Sequence, residues 1–371
     1  MAISPKTLLS AVLFGMASAT VLPRAFTVPT INGFPNPTIQ QQGAIAQQAL
    51  GKLPNGPFPT TLKDGSATAL QLIVFNELFE TAYFTSLLAN ITSKAPGYES
   101  GSNAQAIGAI TAVQAQEQQH ALGAIALLKG AGRFAPQPCK YTFPVSDFAN
   151  AINLAETFTA VVLGALQGAN VAFAKDGVPN LVQLISSVIG QEGEQNGYYR
   201  IVLNRVPSSS PFLTPVPAVF AFSALQMFIV PGSCPFPLSN IDLPILPGIM
   251  TNGDPIGLVK PGDQTIRFSA DLTGSAAAKP YVGKTAGLFM TYTTGQQIPV
   301  SVPVFGVRWT GGVISFLANF PYQQNVAAGF SHGALTTGNQ FATADAVAEG
   351  ALAGPAIIQV NNIVSQQQQQ Q

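Results

Sequence analysis

The sequence predicts a four-helix bundle with a fifth short helix, followed by a β-rich, sandwich-like C-terminal region. Three observations support this fold class. Four long segments between residues 65 and 205 carry apolar residues at helical spacing and contain few breakers. The connections between these segments are short, long and short in that order. After residue 236, short apolar runs alternate with Gly, Pro and Thr, which is typical of short strands.

Residues 1–19 have the pattern of a signal peptide. Lys6 precedes an apolar run over residues 8–16, and residues 17–19, Ala-Ser-Ala, form a small-residue cleavage site. The apolar run is too short to span a bilayer, so we expect the protein to be secreted. Residues 20–64 are rich in Pro, Gly and Gln, and we predict an irregular lead-in there.

Residues 65–235 are assigned to the helical bundle. Pro96 and Gly97 end the first helix, Ser146 with Asp147 begins the third, and Pro179 suits the first turn of the fourth. No segment after the signal peptide is long and apolar enough to predict a transmembrane span. The predicted helices cover residues 67–92, 103–129, 146–176, 179–206 and, for the short fifth helix, 216–228.

Residues 236–355 are predicted to form the β-rich domain. Its alternating apolar runs cover residues 265–268, 287–292, 300–309 and 313–320. Residues 356–371 end in a run of glutamines, and we expect them to be a disordered tail.

Charged residues make up only 9% of the chain, and Lys plus Arg equals Asp plus Glu at 16 each. The sequence therefore shows none of the basic surplus that nucleic-acid binding requires. Glutamate is especially scarce, so its placement is informative. The glutamates are Glu77, Glu80, Glu99, Glu117, Glu156, Glu192, Glu194 and Glu349.

Each predicted core stripe of the bundle is interrupted by a carboxylate near its middle. These are Glu77, Glu117, Glu156 and Glu192, and His120 lies one turn from Glu117 on the same helix face. A buried carboxylate without a partner costs several kcal/mol, so four converging ones need a compensating charge. A metal ion would supply that charge.

The predicted helix lengths test whether these residues lie at one height. Counted from the first interhelical link, Glu77 and Glu117 are nearly level. Counted from the second link, Glu156 and Glu192 differ by roughly 7 Å, which is within the error of predicted helix ends.

The two halves of the bundle repeat one plan. Glu77 is followed by Glu117-x-x-His120, and Glu156 is followed by Glu192-x-x-Gln195. One Glu from each of two helices and Glu-x-x-His from the other two is the pattern of di-iron and di-manganese sites. Gln195 is a weaker ligand than histidine, so we expect one or two ions of Fe or Mn. Glu80, Tyr83 and Tyr199 are predicted to lie around these ligands.

Two covalent features accompany the predicted export. Cys139 and Cys234 are expected to form a disulfide that closes a loop of roughly 95 residues, which would stabilise the fold by about 4–5 kcal/mol. Asn90 begins the sequon Asn-Ile-Thr and is a candidate for glycosylation.

Five motifs follow one another along the chain. They are FNELFETAYF at 75–84, EQQHA at 117–121, AETFTAVVLGA at 155–165, EGEQNGYYR at 192–200 and the run at 228–235 that ends in Ser-Cys-Pro. Together they resemble the secreted ferritin-like proteins of fungi, known as late sexual development or stress-response proteins, over about residues 60–240. The resemblance implies a ferritin-like bundle whose metal ligands map onto Glu77, Glu117, His120, Glu156 and Glu192, with Gln195 departing from the family pattern.

Three functions stay open on the sequence alone. The first is a secreted metal-binding protein that handles peroxide or oxidises Fe(II), in stress or development. The second is a non-catalytic structural or cell-wall-associated protein with a degenerate metal site, which the low charge favours. The third, carbohydrate binding by the β-rich region, depends on the strand pattern and the single Trp309. The motifs predict no particular reaction, and His332 has no predicted partner.

Overall fold

The structure, a computed structural model, describes residues 26–28 and 32–361. The predicted signal peptide and residues 362–371 of the predicted tail lie outside these residues. The helices within the described residues are α1 (Ile39–Gln48), α2 (Asp64–Thr92), α3 (Ala104–Gly130), α4 (Phe148–Asp176), α5 (Pro179–Val202), α6 (Ala218–Leu225), α7 (Tyr322–Asn325) and α8 (Ala344–Glu349).

Helices α2 to α5 form the bundle, and their ends follow the predicted signals. Asn103 and Asp147 precede α3 and α4 and accept hydrogen bonds from the backbone N–H groups of Ala106 and Asn150. Gly177 ends α4 in the left-handed conformation that glycine adopts without steric cost. The fifth predicted helix is α6, which continues as a 3₁₀ turn to Phe228.

The bundle is two antiparallel hairpins, α2–α3 and α4–α5, packed against each other through α2 and α4. An aromatic cluster around Phe79, Tyr83 and Phe158 fills the α2–α4 interface, with ring centroids 4.9–6.3 Å apart. Helices α2 and α4 are long and apolar enough to cross a membrane. However, 78% of the apolar 18-residue stretch of α2 and 56% of that of α4 are buried inside the protein. Buried core helices of soluble proteins can be as long and apolar as these two, so length and composition are weak evidence here for a membrane span.

The lead-in is more ordered than the sequence predicts. Helix α1 begins with a capping box in which Thr38 and Gln41 satisfy each other's backbone N–H groups. The sequence pattern does not predict this helix, because it buries only one residue, Ile45, and has almost no apolar stripe. It packs against α3, the helix that carries the predicted Glu-x-x-His motif.

The strands form three sheets. A two-stranded ribbon, β1–β2, lies beside the disulfide that joins Cys139 and Cys234 as predicted. The strands are β1 (Phe26–Thr27), β2 (Lys140–Tyr141), β3 (Met250–Thr251), β4 (Ile256–Val259), β5 (Gln264–Asp271), β6 (Phe289–Thr294), β7 (Val300–Pro303), β8 (Phe305–Thr310), β9 (Val313–Phe320), β10 (Gly329–Thr336) and β11 (Ala351–Val360).

The C-terminal region is a two-sheet sandwich. One sheet has the order β4-β11-β10-β6-β7 and the other β3-β5-β9-β8. Side chains from both sheets, including Phe268, Met290, Phe316 and Ile358, share one buried core. The single strand predicted over residues 300–309 is two strands, since β7 joins the first sheet and β8 the second.

The boundary predicted for the tail is wrong. Residues 356–360 belong to β11, which pairs in parallel with β4 and antiparallel with β10 near the middle of the five-stranded sheet. Every residue of β10 and β11 is buried, because one face of this sheet meets the sandwich core and the other meets α6 and the bundle. Neither strand shows the alternating pattern on which sequence analysis relies.

The segment between α5 and α6 fixes the sheet to the bundle. The Thr214 hydroxyl donates to the Phe330 carbonyl at 2.7 Å and accepts from the Gly295 N–H at 2.8 Å. Gly164 of α4 makes this contact feasible, since a Cβ there would lie 2.4 Å from the Thr214 carbonyl oxygen. The bundle and the β-rich region therefore pack as neighbours over a buried interface.

Candidate metal centre

Four of the predicted ligands converge inside the bundle. Glu77 comes from α2, Glu117 and His120 from α3, and Glu192 from α5, and one ligand atom from each lies within 4.8 Å of all the others. Glu77 lies roughly four helical turns before the end of α2, and Glu117 lies roughly four turns after the start of α3, so the antiparallel pair brings them level. We refer to these four residues as the carboxylate–histidine cluster.

The cluster is organised around one ring nitrogen of His120. Nδ1 lies 2.9 Å from Glu117 Oε2, 3.5 Å from Glu77 Oε2 and 3.9 Å from Glu192 Oε1. The three carboxylates are fully buried, whereas the His120 side chain is 14% exposed. All three carboxyl groups therefore face a single imidazole edge that solvent can still approach.

Several carboxylate oxygens of the cluster lack hydrogen-bond partners. Among the described residues, neither oxygen of Glu77 nor either oxygen of Glu192 accepts a hydrogen bond. Buried polar atoms in native proteins are almost always satisfied, so four unpartnered oxygens in one place need an explanation. A bound cation would satisfy them together.

Burial and mutual repulsion control the protonation of the cluster. Burial raises the pKa of Glu77 to about 8. Burial, followed by the charges of neighbouring carboxylates, also raises the pKa of Glu192 well above its usual range. Burial acts to raise the pKa of Glu117 too, but the charge and hydrogen bond of His120 hold that pKa below its ordinary value. Burial opposes protonation of His120, yet Glu117 and Glu77 raise its pKa well above 6.5.

These directions describe a cluster that retains protons at neutral pH. An ion pair between Glu117 and His120 is accompanied by carboxyls, Glu77 and Glu192, that burial keeps neutral. Because metal ligands must be deprotonated, a cation would replace these protons.

Gln195 lies beside the cluster as a hydrogen-bond donor. Its Nε2 donates to Glu117 Oε1 at 2.8 Å and to Gln116 Oε1 at 3.1 Å. The neighbouring Gln191 donates to the same Gln116 oxygen at 3.0 Å. Gln195 therefore orients the Glu117 carboxylate and turns its amide nitrogen, which cannot bind a metal, toward it.

Glu156, predicted as a ligand, lies outside the cluster. The Arg200 guanidinium forms a buried ion pair with it, and Arg205 Nη1 lies 3.2 Å from its second oxygen. Gln359 of β11 donates to that same oxygen, and Arg205 also donates to Asn153 at 2.6 Å. Two arginines and an amide thus satisfy the charge that the sequence assigned to a metal.

Helix geometry explains this correction. Glu156 lies roughly six helical turns before the end of α4, and Arg200 lies roughly six turns after the start of α5, so the two are level in the antiparallel pair. Glu192 lies only about four turns after that start, which separates it from Glu156 by about 10 Å along the bundle. The difference in height between Glu156 and Glu192 that the sequence indicated is therefore a true displacement of the two residues along the bundle.

The predicted surrounding residues divide into two groups. Glu80 is buried one helical turn after Glu77 on α2, and burial, followed by the charges of Glu117, Glu192 and Glu77, raises its pKa well above its usual range. Tyr199 is buried, and nearby carboxylates raise its pKa after burial does, so it lies beside the cluster. Tyr83 points away, since its hydroxyl donates to the Ala151 carbonyl at 2.6 Å.

A cavity of about 500 Å³ leads from the surface to His120 and Glu77. It lies between α3 and α5 and is bordered by residues 49–54, which follow α1. Lys52 is exposed at its edge. We call this space the entry cavity. It explains why His120 is the member of the cluster that solvent can reach.

Other predicted sites are separate from the cluster. Asn90 lies near the end of α2 and is partly exposed. His332 is buried in β10, where its Nε2 is 2.8 Å from the Pro215 carbonyl oxygen and its ring contacts Phe220. The Trp309 indole donates to the Lys284 carbonyl at 2.9 Å.

Comparison with known proteins supports the assignment of the bundle. The family profile described as Ferritin-like domain matches residues 66–205. A search of curated proteins found no match to the chain. The matched segment begins in α2 and ends just after α5, and it includes every member of the carboxylate–histidine cluster. Residues 66–205 are therefore a ferritin-like domain.

Proposed function

We propose that the carboxylate–histidine cluster binds one iron or manganese ion through Glu77, Glu117, His120 and Glu192. One observation carries this proposal. Three buried carboxylates and one imidazole have ligand atoms within 4.8 Å of one another, and four of the carboxylate oxygens have no hydrogen-bond partner among the described residues. Imidazole and carboxylate together suit Fe and Mn, and ferritin-like bundles hold such ions between facing helices.

The stoichiometry of one ion follows from the residues that are missing. A second ion would need ligands corresponding to Glu156 and to a histidine at position 195. Glu156 is occupied by Arg200 and Arg205, and Gln195 turns its amide nitrogen toward Glu117. One complete set of ligands is left.

When bound, iron or manganese supplies redox chemistry toward peroxide, dioxygen or Fe(II). The protein residues would prepare the site for it. His120 and the protonated carboxyls release their protons on binding, and Gln195 holds Glu117 in place. The entry cavity admits small molecules to the exposed edge of His120.

We further propose that the protein is secreted and acts in stress or development, as the resemblance to fungal ferritin-like proteins implies. The Cys139–Cys234 disulfide supports export, because disulfides persist mainly in oxidising compartments. Expression with the natural N-terminus, followed by N-terminal sequencing of protein in the medium, tests this. A protein retained inside the cell with residues 1–19 still attached would contradict it.

Metal analysis of protein purified without chelator tests the central proposal. We expect about one equivalent of Fe or Mn in the natural protein and less than about 0.2 in Glu192→Gln, which removes one charged ligand. Glu194→Gln is the matched control, because Glu194 lies on the same helix but is exposed. Metal-free natural protein, or equal metal in both variants, would overturn the proposal.

The second candidate is an inert structural or cell-wall-associated protein. The ion pairs of Glu156 favour it, since they show one predicted metal ligand in a structural role instead. Protons shared among Glu77, Glu117, His120 and Glu192 would then replace the metal. A metal-free protein that localises to the wall and keeps its function in Glu117→Ala would support this candidate.

A further inference from the structure

A second cavity lies on the opposite side of Glu77 from the entry cavity. Its volume is about 350 Å³, and it is enclosed by α2, α4 and α6, with Ile357 of β11 and Ile256 of β4 at one side. This volume is within the range of small-molecule sites. We call it the apolar cavity.

The apolar cavity is elongated along the bundle. Its lining on α2 runs from Asp64 to Phe79 at intervals of three or four residues, and its lining on α4 runs from Leu154 to Ala172 in the same way. These spacings place the lining on one continuous face of each helix. The stretch from Asp64 to Phe79 corresponds to about 22 Å of helix, so the cavity is long enough for an extended chain.

The cavity exists because small residues replace large ones along its walls. Alanines on α4 and α6 face leucine, isoleucine, valine and phenylalanine side chains of the same cavity. Protein interiors are normally filled to crystal-like density, so an open apolar space of this size is unusual. The alanines include Ala165, Ala169, Ala172, Ala218, Ala221 and Ala224.

Polar groups occur at the two ends of the cavity. Exposed Asp64 and Asp242 border the outer end, where Asp64 is paired with Arg133 at 2.9 Å. Glu77 and Asn76 line the inner part. None of the residues that line the cavity is Lys, Arg or His, so a negative head group would find no cationic partner there.

We infer that the apolar cavity binds a linear aliphatic molecule without negative charge, such as a long-chain alcohol. The apolar walls take the chain, and a neutral hydroxyl carries no charge that would need a cationic partner inside the cavity. This inference goes beyond the proposed metal site, because no metal ion is needed to complete the walls of the apolar cavity. Glu77 is the cluster residue that borders both spaces, so the bound chain lies next to the cluster.

Titration of the full-length, metal-free protein with dodecan-1-ol tests the inference. Isothermal calorimetry should show saturable binding with one site per chain. Dodecanoate should bind at least about tenfold more weakly, since the cavity lining has no cationic residue to pair with its buried carboxylate. Saturation with dodecanoate at the same affinity, or no binding of either probe, would overturn the inference.

A variant that fills the cavity identifies the site. Ala169→Phe places a large ring among the α4 residues that line the cavity and should weaken dodecan-1-ol binding by at least about tenfold, because part of the space is then filled. Ala89→Phe is the matched control, since Ala89 is exposed near the end of α2. If Ala169→Phe does not fold, Ala169→Leu replaces it. Unchanged binding in a folded filled variant would contradict the assignment.

Metal content separates the two proposals. Ala169→Phe should retain the Fe or Mn of the natural protein, whereas Glu192→Gln should lose metal and still bind dodecan-1-ol. Loss of alcohol binding in Glu192→Gln would show that the alcohol binds at the cluster and would overturn the separate site.

Discussion

Arg200 and Glu156 lie at the same height on antiparallel helices and form an ion pair that is almost completely buried. The pair, extended by Arg205, converts a residue expected to bind metal into part of the fold. Removal of one partner of this pair should lower the stability of the protein, because a buried charge that loses its partner is far more costly than an exposed one.

Arg200→Met should lower the free energy of unfolding by about 3–5 kcal/mol, since buried Glu156 would be left with only Arg205 as a cationic partner. Urea unfolding followed by circular dichroism measures this change. Arg267→Met is the control: Arg267 is exposed, so its replacement should alter stability by less than about 0.5 kcal/mol. Equal effects for the two variants would mean that the buried pair is not important for stability.

Glu156→Gln should keep the metal content of the natural protein, because Glu156 belongs to the arginine pair and not to the ligands. Glu77→Gln should lose metal, since it removes one carboxylate of the proposed ligand set. Elemental analysis of folded fractions compares the two. A folded Glu156→Gln protein without metal would return Glu156 to the set of ligands.

Gln195→Leu should weaken metal binding by about 10- to 100-fold, the usual effect of removing a hydrogen bond that orients a ligand. Competition with a chromogenic chelator measures the dissociation constant. Gln191→Leu provides the comparison, because Gln191 shares the Gln116 partner and makes no bond to Glu117. We expect Gln191→Leu to retain the natural affinity; equal losses in both variants would assign the effect to Gln116.

His332 should make the folded state sensitive to acid. Burial lowers its pKa from 6.5 to about 4, so between these values the unfolded chain binds a proton that the folded chain excludes. Its contribution to stability is present above about pH 6.5 and falls by about 3 kcal/mol as the pH approaches about 4.

His332→Phe isolates this effect. The variant loses the hydrogen bond to Pro215 and should be about 1–3 kcal/mol less stable at about pH 7. The stability difference between natural protein and variant should then shrink or reverse as the medium is acidified, as measured by urea unfolding at several pH values. A difference that stays constant with pH would show that His332 does not titrate in this range.

The sequence predicts the cluster well because helix periodicity and loop position determine it. Residues at spacings of three and four share a face, and short links set heights, so Glu77, Glu117 and His120 could be placed together in advance. Glu192 follows from the same rule on α5. The ferritin-like bundle was predictable for the same reason.

Glu156 shows where this reasoning stops. The sequence correctly places Glu156 on the inward-facing stripe of its helix. The hydrogen bonds that it accepts from Arg205 and Gln359 depend on tertiary structure, which helix periodicity does not predict. Arg200 was detectable, since it lies roughly two turns after Glu192 on the same face of α5. Strands β10 and β11 escape the sequence pattern because a sheet covered on both faces has no alternation to detect.

Strand β11 gives the protein a particular order of assembly. Gln359 lies 203 residues after its partner Glu156, and β11 fills the position between β4 and β10. The helices can pair as soon as they have been synthesised, but the five-stranded sheet is split in two until residues 351–360 have left the ribosome. A nascent chain stalled before residue 351 would therefore expose the apolar edges of both halves of the sheet, and it would be a natural client for chaperones.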